Sequence, residues 1–336
     1  MTDTIRKALD GHSLTAVEAE AAFDRFMDGT ASPEEMAALL TELKGRGERP
    51  EEVAGGVRAL RKAMVPLDVG RDDAIDTCGT GGGSLTTFNI STASAIVAVG
   101  GGVKIAKHGN RSFTSKCGSA DLLETLGVPV ELDLESERRF FEDTGFVFMY
   151  APAHHPAMRH VGPVRRELGV TTIMNLLGPL ANPAGVRRQV IGVASSDLLD
   201  LVAASLVELG HERALVVHGE PGLDELSPLG PTRALQVETG TLTEMTVHPA
   251  DFGWPAFDVT DLAGGDPTEN AQRVRAVVVG EEGGAARAAV VLNAGAAFWV
   301  AGMADDLAQG VEKAEESIGS GAAGRTLEAL AAWSSG

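Results

Sequence analysis

The sequence predicts an α/β fold: a small helical domain plus a larger α/β domain with a central, mostly parallel sheet covered by helices. Three observations predict it. The first sixty or so residues place apolar side chains at helical spacing between readable start and stop signals. From Ala74 the pattern changes to short apolar runs separated by helical stretches, which argues for a sheet covered on both faces. After Asp261 the chain is mainly helical again.

In chain order, Thr15 followed by Glu18 is a capping box, and Val17, Ala21 and Phe23 to Met27 supply an apolar face that ends at Gly29. Ser32, Pro33 and Glu35 open a second helix in the same manner, with Met36, Leu39, Leu40 and Leu43 on one face until Gly45 and Gly47. Pro50 opens a third, carrying Val53, Val57, Leu60 and Met64, which closes before Pro66. No chemistry is visible in these helices. Strands are expected at 75–77, 103–106, 146–148, 190–194 and 214–218, with helices such as 93–99 and 198–209 between them. Helical sequence at 156–177 interrupts this alternation. Helices at 268–279, 285–303 and 304–318 are expected to cover the sheet.

The 336 residues exceed a typical single domain, and 44% apolar residues supply an ample core. A net charge of −19 argues against nucleic acid or an anionic membrane as partner, because the field repels polyanions before contact. It also opposes an anionic substrate, so local cations must override it. Cys78 and Cys117 give no disulfide framework and belong to no Cys-His signature; they read as small fillers in a reducing cytoplasm. Residues 1–10 lack the apolar core of a signal peptide. The most membrane-like run, 288–304, contains Asn293, Gly295 and Gly302 and reads as a buried helix.

Residues 74 to 92 carry the strongest local signal. An apparent strand leads through Gly79, Gly81, Gly82 and Gly83, expected to adopt positive φ and offer N–H groups to an anion, into a helix start with Asn89, Ser91 and Thr92. This is phosphate-site grammar, although neither a P-loop nor the dinucleotide fingerprint fits. Residues 107 to 121 then crowd Lys107, Arg111 and Lys116 with four hydroxyls into one expected loop.

These stretches resemble the anthranilate phosphoribosyltransferases. The resemblance rests on Gly79-Thr80-Gly81-Gly82, Asn89-Ile90-Ser91-Thr92, Lys107-His108-Gly109-Asn110-Arg111 and Gly118-Ser119-Ala120-Asp121. It continues through His154-His155-Pro156-Ala157-Met158, the run from Asn175 to Pro183, and Asp224-Glu225, covering nearly the whole chain.

The resemblance implies a transferase that takes phosphoribosyl pyrophosphate and anthranilate. It implies donor contacts from Gly79, Gly82, Gly83, Thr87, Asn89, Ile90, Ser91, Thr92, Lys107, His108, Gly109, Asn110, Arg111, Ser112, Ser115 and Ser119. Backbone N–H groups, hydroxyls and an ammonium are what phosphate oxygens accept from. Anthranilate is expected at Gly79, Asn110 and Arg165, whose guanidinium suits a planar carboxylate. Mg2+ is expected at Ser91, Asp224 and Glu225. His108 and His155 are the candidates for a catalytic base.

The resemblance further implies that the helical domain, 1–66, is completed by about 156–180 and makes the contacts of a homodimer. The α/β domain would then comprise 67–155 and 181–336. Three positions depart from the family: Gly83 stands where Asp is usual, and Thr171 and Met174 where Arg and Phe are frequent. Two rival readings are a pyrimidine nucleoside phosphorylase-like enzyme and a catalytically silent nucleic-acid-binding paralogue.

Overall fold

The computed structural model describes residues 2–112 and 116–334. Its amino-terminal helices are α1 (Asp3–Leu9), α2 (Ala16–Met27), α3 (Pro33–Arg46) and α4 (Pro50–Ala63). The capping boxes expected at α2 and α3 both form, each satisfying otherwise orphaned N–H groups. Next come β1 (Asp76–Gly79), α5 (Ile90–Gly100), β2 (Ile105–Gly109), α6 (Ser119–Thr125), α7 (Leu134–Thr144) and β3 (Phe146–Tyr150). Three helices follow: α8 (Ala151–His154), α9 (Met158–Leu168) and α10 (Ile173–Leu180). Then come β4 (Arg188–Gly192), α11 (Leu199–Glu208), β5 (Arg213–Gly219), β6 (Thr232–Glu238) and β7 (Thr241–Val247). The chain ends in α12 (Pro267–Val278), α13 (Gly284–Ala301), α14 (Leu307–Gly319) and α15 (Ala322–Ala332).

Strands β1, β4 and β5 pair in parallel, and β6 and β7 extend them antiparallel. β2 and β3 form a second parallel pair, joined to the strand segment before β1 by a bridge from Ile75 to Ile105. The apolar stretches of β3, β4 and β5 are unbroken because both faces are covered. In β5, Leu215 and Val217 enter one core with α5 and α12 to α15, whereas Ala214 and Val216 enter the other with α4, α10 and α11. Helices α9 and α10 pack on α2, α3 and α4. Helix α13 has the length and apolar composition to cross a membrane, but 78% of it is buried in the core.

The structure corrects two expectations. β2 continues to Gly109 and α6 begins at Ser119, so Lys107, His108 and Gly109 are strand rather than loop. The apolar run stops at Ala106 because Lys107 is a buried polar side chain with its own partners. Strands β6 and β7 are not among the expected strands; β6 is partly exposed and β7 is solvated along most of its length. Thr239 and Gly240 link them at φ of 45° and 85°, the positive values that a tight hairpin turn uses.

Candidate active site

The glycine stretch joins the end of β1 to Asn89, the N-cap residue of α5, and so sits at the carboxyl end of parallel strands where such sheets bind ligands. Of its four expected glycines only Gly81 and Gly82 take positive φ, +65° and +80°. Gly79 and Gly83 are small for a different reason. A Cβ on Gly79 would stand 2.9 Å from Asp224 Oδ2, and one on Gly83 would stand 3.2 Å from Asp224 Oδ1. The Asp224 carboxylate therefore packs against both glycines of the loop.

Lys107 is 2% exposed, and its Nζ donates to the Thr77 carbonyl and, at 3.3 Å, to Ser91 Oγ. A β2 side chain thus reaches beneath β1 to the first turn of α5. Glu225 is buried nearby, and Lys107 is the cation acting on it. Burial, then the neighbouring Asp224 charge, push Glu225 above the usual carboxylate range; burial raises Asp224 as well. Asn293, the polar residue inside apolar α13, holds this acidic loop through 2.9 Å bonds to the Leu226 N–H and carbonyl.

Asp76 is fully buried and accepts from Asn182 Nδ2 at 2.9 Å and from the His108 N–H at 3.3 Å. Asn182 also donates to the Ala106 carbonyl at 2.9 Å, so one carboxylate sets the register of β1, β2 and the chain leaving α10. The His108 and His155 rings lie 4.9 Å apart. Burial first, then neighbouring imidazoles, lower them to about 3 and about 4, which leaves both neutral near pH 7. His108 Nε2 and both His155 nitrogens are buried outside hydrogen-bonding geometry. His154, by contrast, is tied to the Val65 carbonyl at 2.8 Å and Glu137 at 3.1 Å.

Arg165, on α9, is half-buried, and burial lowers its pKa. Among the described residues nothing hydrogen-bonds or ion-pairs with its guanidinium. Arg166 is its exposed neighbour. The three cations expected together are not assembled. Arg111 turns to Glu124 at 2.6 Å and to Asp121 and Glu131 at 3.2 Å, stacking over Tyr150, and Lys116 is exposed. Asn110 accepts the Arg111 N–H on its side chain and the Ser119 hydroxyl on its carbonyl. The Ser112 N–H donates to Asp121 Oδ2 at 3.2 Å. Gly109 ends β2, Thr87 bridges to Ala263, Ile90 is buried, and the Thr92 hydroxyl is buried without a partner. Ser115 lies outside the described residues.

Residues 2–64 match the helical bundle domain of the glycosyl transferase family, and residues 71–324 match its a/b domain. Over 328 residues the chain is 50% identical to the anthranilate phosphoribosyltransferase of Rubrobacter xylanophilus, covering 98% of this chain and 96% of that one. The crystal structure of the Thermus thermophilus anthranilate phosphoribosyltransferase superposes with a TM-score of 0.93 at 46% identity, covering 98% of this chain and 99% of the other. The Saccharomyces cerevisiae enzyme, in complex with PRPP and Mg, gives 0.87 at 28% identity over 97% of this chain and 95% of that one. This chain belongs to the anthranilate phosphoribosyltransferase family.

Against the anthranilate phosphoribosyltransferase pattern, Lys107, Ser91, Asp224, Glu225 and the glycine loop come together here, and Arg111 stands apart from them. Thr171 is exposed and Met174 is buried in α10. Asp76, Asn182 and Asn293 support the site without belonging to the expected set. A lone acid in the apolar run Ala74 to Thr77 and a lone amide in α13 were the signals for Asp76 and Asn293.

Proposed function

We propose that this chain transfers the 5-phosphoribosyl group from phosphoribosyl pyrophosphate to anthranilate, giving N-(5-phosphoribosyl)anthranilate and pyrophosphate. This is the second step from chorismate in tryptophan biosynthesis. The observation that carries the reading is the convergence of buried Lys107, the α5 amino terminus and the Asp224-Glu225 pair on one glycine loop. Nothing in that arrangement favours a nucleoside phosphorylase or a nucleic-acid-binding protein.

The donor's phosphates meet the Gly81 and Gly82 backbone, the first turn of α5 with Ser91 and Thr92, and the Lys107 ammonium. Arg165, a half-buried guanidinium without a counterion among the described residues, holds the anthranilate carboxylate by a charge-assisted contact. The neutral rings of His108 and His155 wall the acceptor. With pKa values of about 3 and about 4 they hold no proton to give near pH 7 and are weak bases. None is needed: an aniline-type nitrogen is already neutral, so positioning and stabilisation of charge on the departing pyrophosphate supply the rate.

The acid pair fits Mg2+. Burial disfavours the ionised forms of both carboxylates, a cost that a divalent cation between them would offset, and Ser91 adds a hydroxyl oxygen. No group of three His, Cys, Asp or Glu occurs among the described residues, so the remaining ligands would be water or phosphate oxygens, as this hard ion prefers. Bound there, magnesium would neutralise leaving-group charge.

We read 1–66 with about 156–180 as the helical domain, and the chain as a cytoplasmic homodimer joined through it. The test is loss of anthranilate fluorescence on adding phosphoribosyl pyrophosphate. Consumption that requires both the donor and magnesium is expected; persistence of the fluorescence with both present refutes the reading.

A further inference from the structure

The two loops of the donor site are cross-linked by one side chain, and its orientation is fixed from a third region of the chain. Asn89 Nδ2 donates to the Cys117 carbonyl at 3.2 Å, joining the end of the glycine loop to the loop before α6. Asn89 Oδ1 accepts from Asn270 Nδ2 at 3.0 Å, and Asn270 Oδ1 accepts the Gly265 N–H at 2.7 Å. Asn270 lies on α12 and is 3% exposed.

This chain of amides has a defined polarity. One end is a backbone N–H, which can only donate; the other is a backbone carbonyl, which can only accept. Neither amide can turn over without setting oxygen against oxygen or N–H against N–H. The surrounding segment supports the same loop: the Phe88 N–H donates to the Leu262 carbonyl at 3.1 Å, and the Gly264 N–H to the Thr86 carbonyl at 3.1 Å. The Arg273 guanidinium lies over the Phe88 ring at 4.8 Å.

We infer that Asn270 is a positioning residue for the phosphate-binding loops: it holds Asn89 in the one amide orientation that ties the glycine loop to the Cys117 segment. It acts through Asn89 and has no role in acceptor binding. The inference rests on the proposed transferase reading only for the identity of the anion.

The test compares wild type, Asn270→Ala, Asn270→Asp and Val274→Ala. Asp keeps an oxygen for the Gly265 N–H but cannot donate to Asn89, so the Asn89 amide must turn and place its oxygen against the Cys117 carbonyl. Val274 is fully buried on the same helix and touches none of these groups' bonds, so its truncation reports general loosening. Donor and anthranilate KM, kcat and Tm are measured, together with calorimetric binding of magnesium pyrophosphate.

Both Asn270 variants should raise donor KM and weaken pyrophosphate binding by about threefold to tenfold, the size of one lost neutral hydrogen bond. Asn270→Asp should do so at least as strongly as Asn270→Ala, with anthranilate KM within about twofold of wild type. Val274→Ala should lower Tm and leave both KM values alone. Unchanged donor KM and pyrophosphate affinity in Asn270→Asp overturn the inference, as does an equal loss in Val274→Ala. An inactive wild type that still binds magnesium pyrophosphate would instead refute the transferase reading, and the binding series then decides the inference by itself.

Discussion

Gly83 is where this chain lacks the family's usual carboxylate, and the structure gives Gly83→Asp a calculable consequence. The new Cβ would stand 3.2 Å from Asp224 Oδ1 and 3.4 Å from the Gly222 carbonyl. A carboxylate one bond further out, about 1.5 Å, lies within roughly 5 Å of the Asp224 carboxylate. Two like charges at that distance repel by about 3 kcal/mol at an effective permittivity of about 20. Solvent screening at this half-buried site reduces that to about 1–2 kcal/mol. An incoming pyrophosphate meets the same added charge, so donor KM at low magnesium should rise about fivefold to thirtyfold. Magnesium reverses the sign, since a divalent cation between two carboxylates is attracted to both. The donor KM of the Asp variant should therefore return to the wild-type value at saturating magnesium, while anthranilate KM does not move.

Backbone strain is not a rival explanation, because φ at Gly83 lies outside the left-handed range that favours glycine. Gly83→Ala needs only a small shift of a flexible carboxylate and should stay within about twofold of wild type at every magnesium concentration. The assay is donor titration of wild type, Gly83→Ala and Gly83→Asp at low and high magnesium, read by anthranilate fluorescence. Equal impairment of both variants at each magnesium level would refute the electrostatic account.

Further expectations concern the acceptor, the acid pair and a buried histidine. Arg165→Ala should raise anthranilate KM about tenfold or more, the cost of a charged hydrogen bond, with donor KM little changed; equal weakening of both substrates would place Arg165 in the scaffold. Asp224→Asn with Glu225→Gln should depress turnover and raise the magnesium needed for half-activity without lowering Tm, because both carboxylates are disfavoured by burial; an unaltered magnesium profile sinks the assignment. His211 is buried against Gln189 Oε1 at 2.8 Å, and burial lowers it to about 3. A base with a depressed folded pKa costs stability as pH falls, because the unfolded chain binds the proton first. From pH 7 to pH 5 this amounts to about 2 kcal/mol, using an unfolded value near 6.5. Urea unfolding of His211→Gln should therefore lose less stability than wild type over that interval, and parallel pH curves would contradict the assignment.

Much of this fold was legible because its signals are local. Thr15 with Glu18 and Ser32 with Glu35 state helix starts within four residues, and β3, β4 and β5 announce themselves as apolar runs. β6 and β7 were harder to read because β7 is solvated along most of its length and carries no apolar run. Lys107 shows the limit more sharply. Its residue type argues for exposure, and it is buried because Thr77 and Ser91, 30 and 16 residues away, meet its ammonium. Asn270 gave no signal at all: its partner Asn89 lies 181 residues away, and one amide on an amphipathic helix is ordinary.

The placement of charge answers how a protein of net charge −19 can receive a polyanion. The sequence suggested a cluster of surface cations, but α6 and the segment after it supply Asp121, Glu124 and Glu131, which occupy Arg111. A screened surface cluster would in any case gain little, since the acidic field and dissolved salt act over a similar range of about 8 Å. The chain instead relies on interactions that salt does not reach. They are one ammonium held under the sheet, N–H groups at a helix start and in the glycine loop, and a carboxylate pair suited to bring in a divalent cation. Each acts within contact distance, and the Lys107 ammonium and the acid pair do so in a buried, low-dielectric setting where a single charge outweighs many distant ones. The acidic surface then costs the site little, and its carboxylates serve to pin Arg111 and the Ser112 N–H beside Asn110.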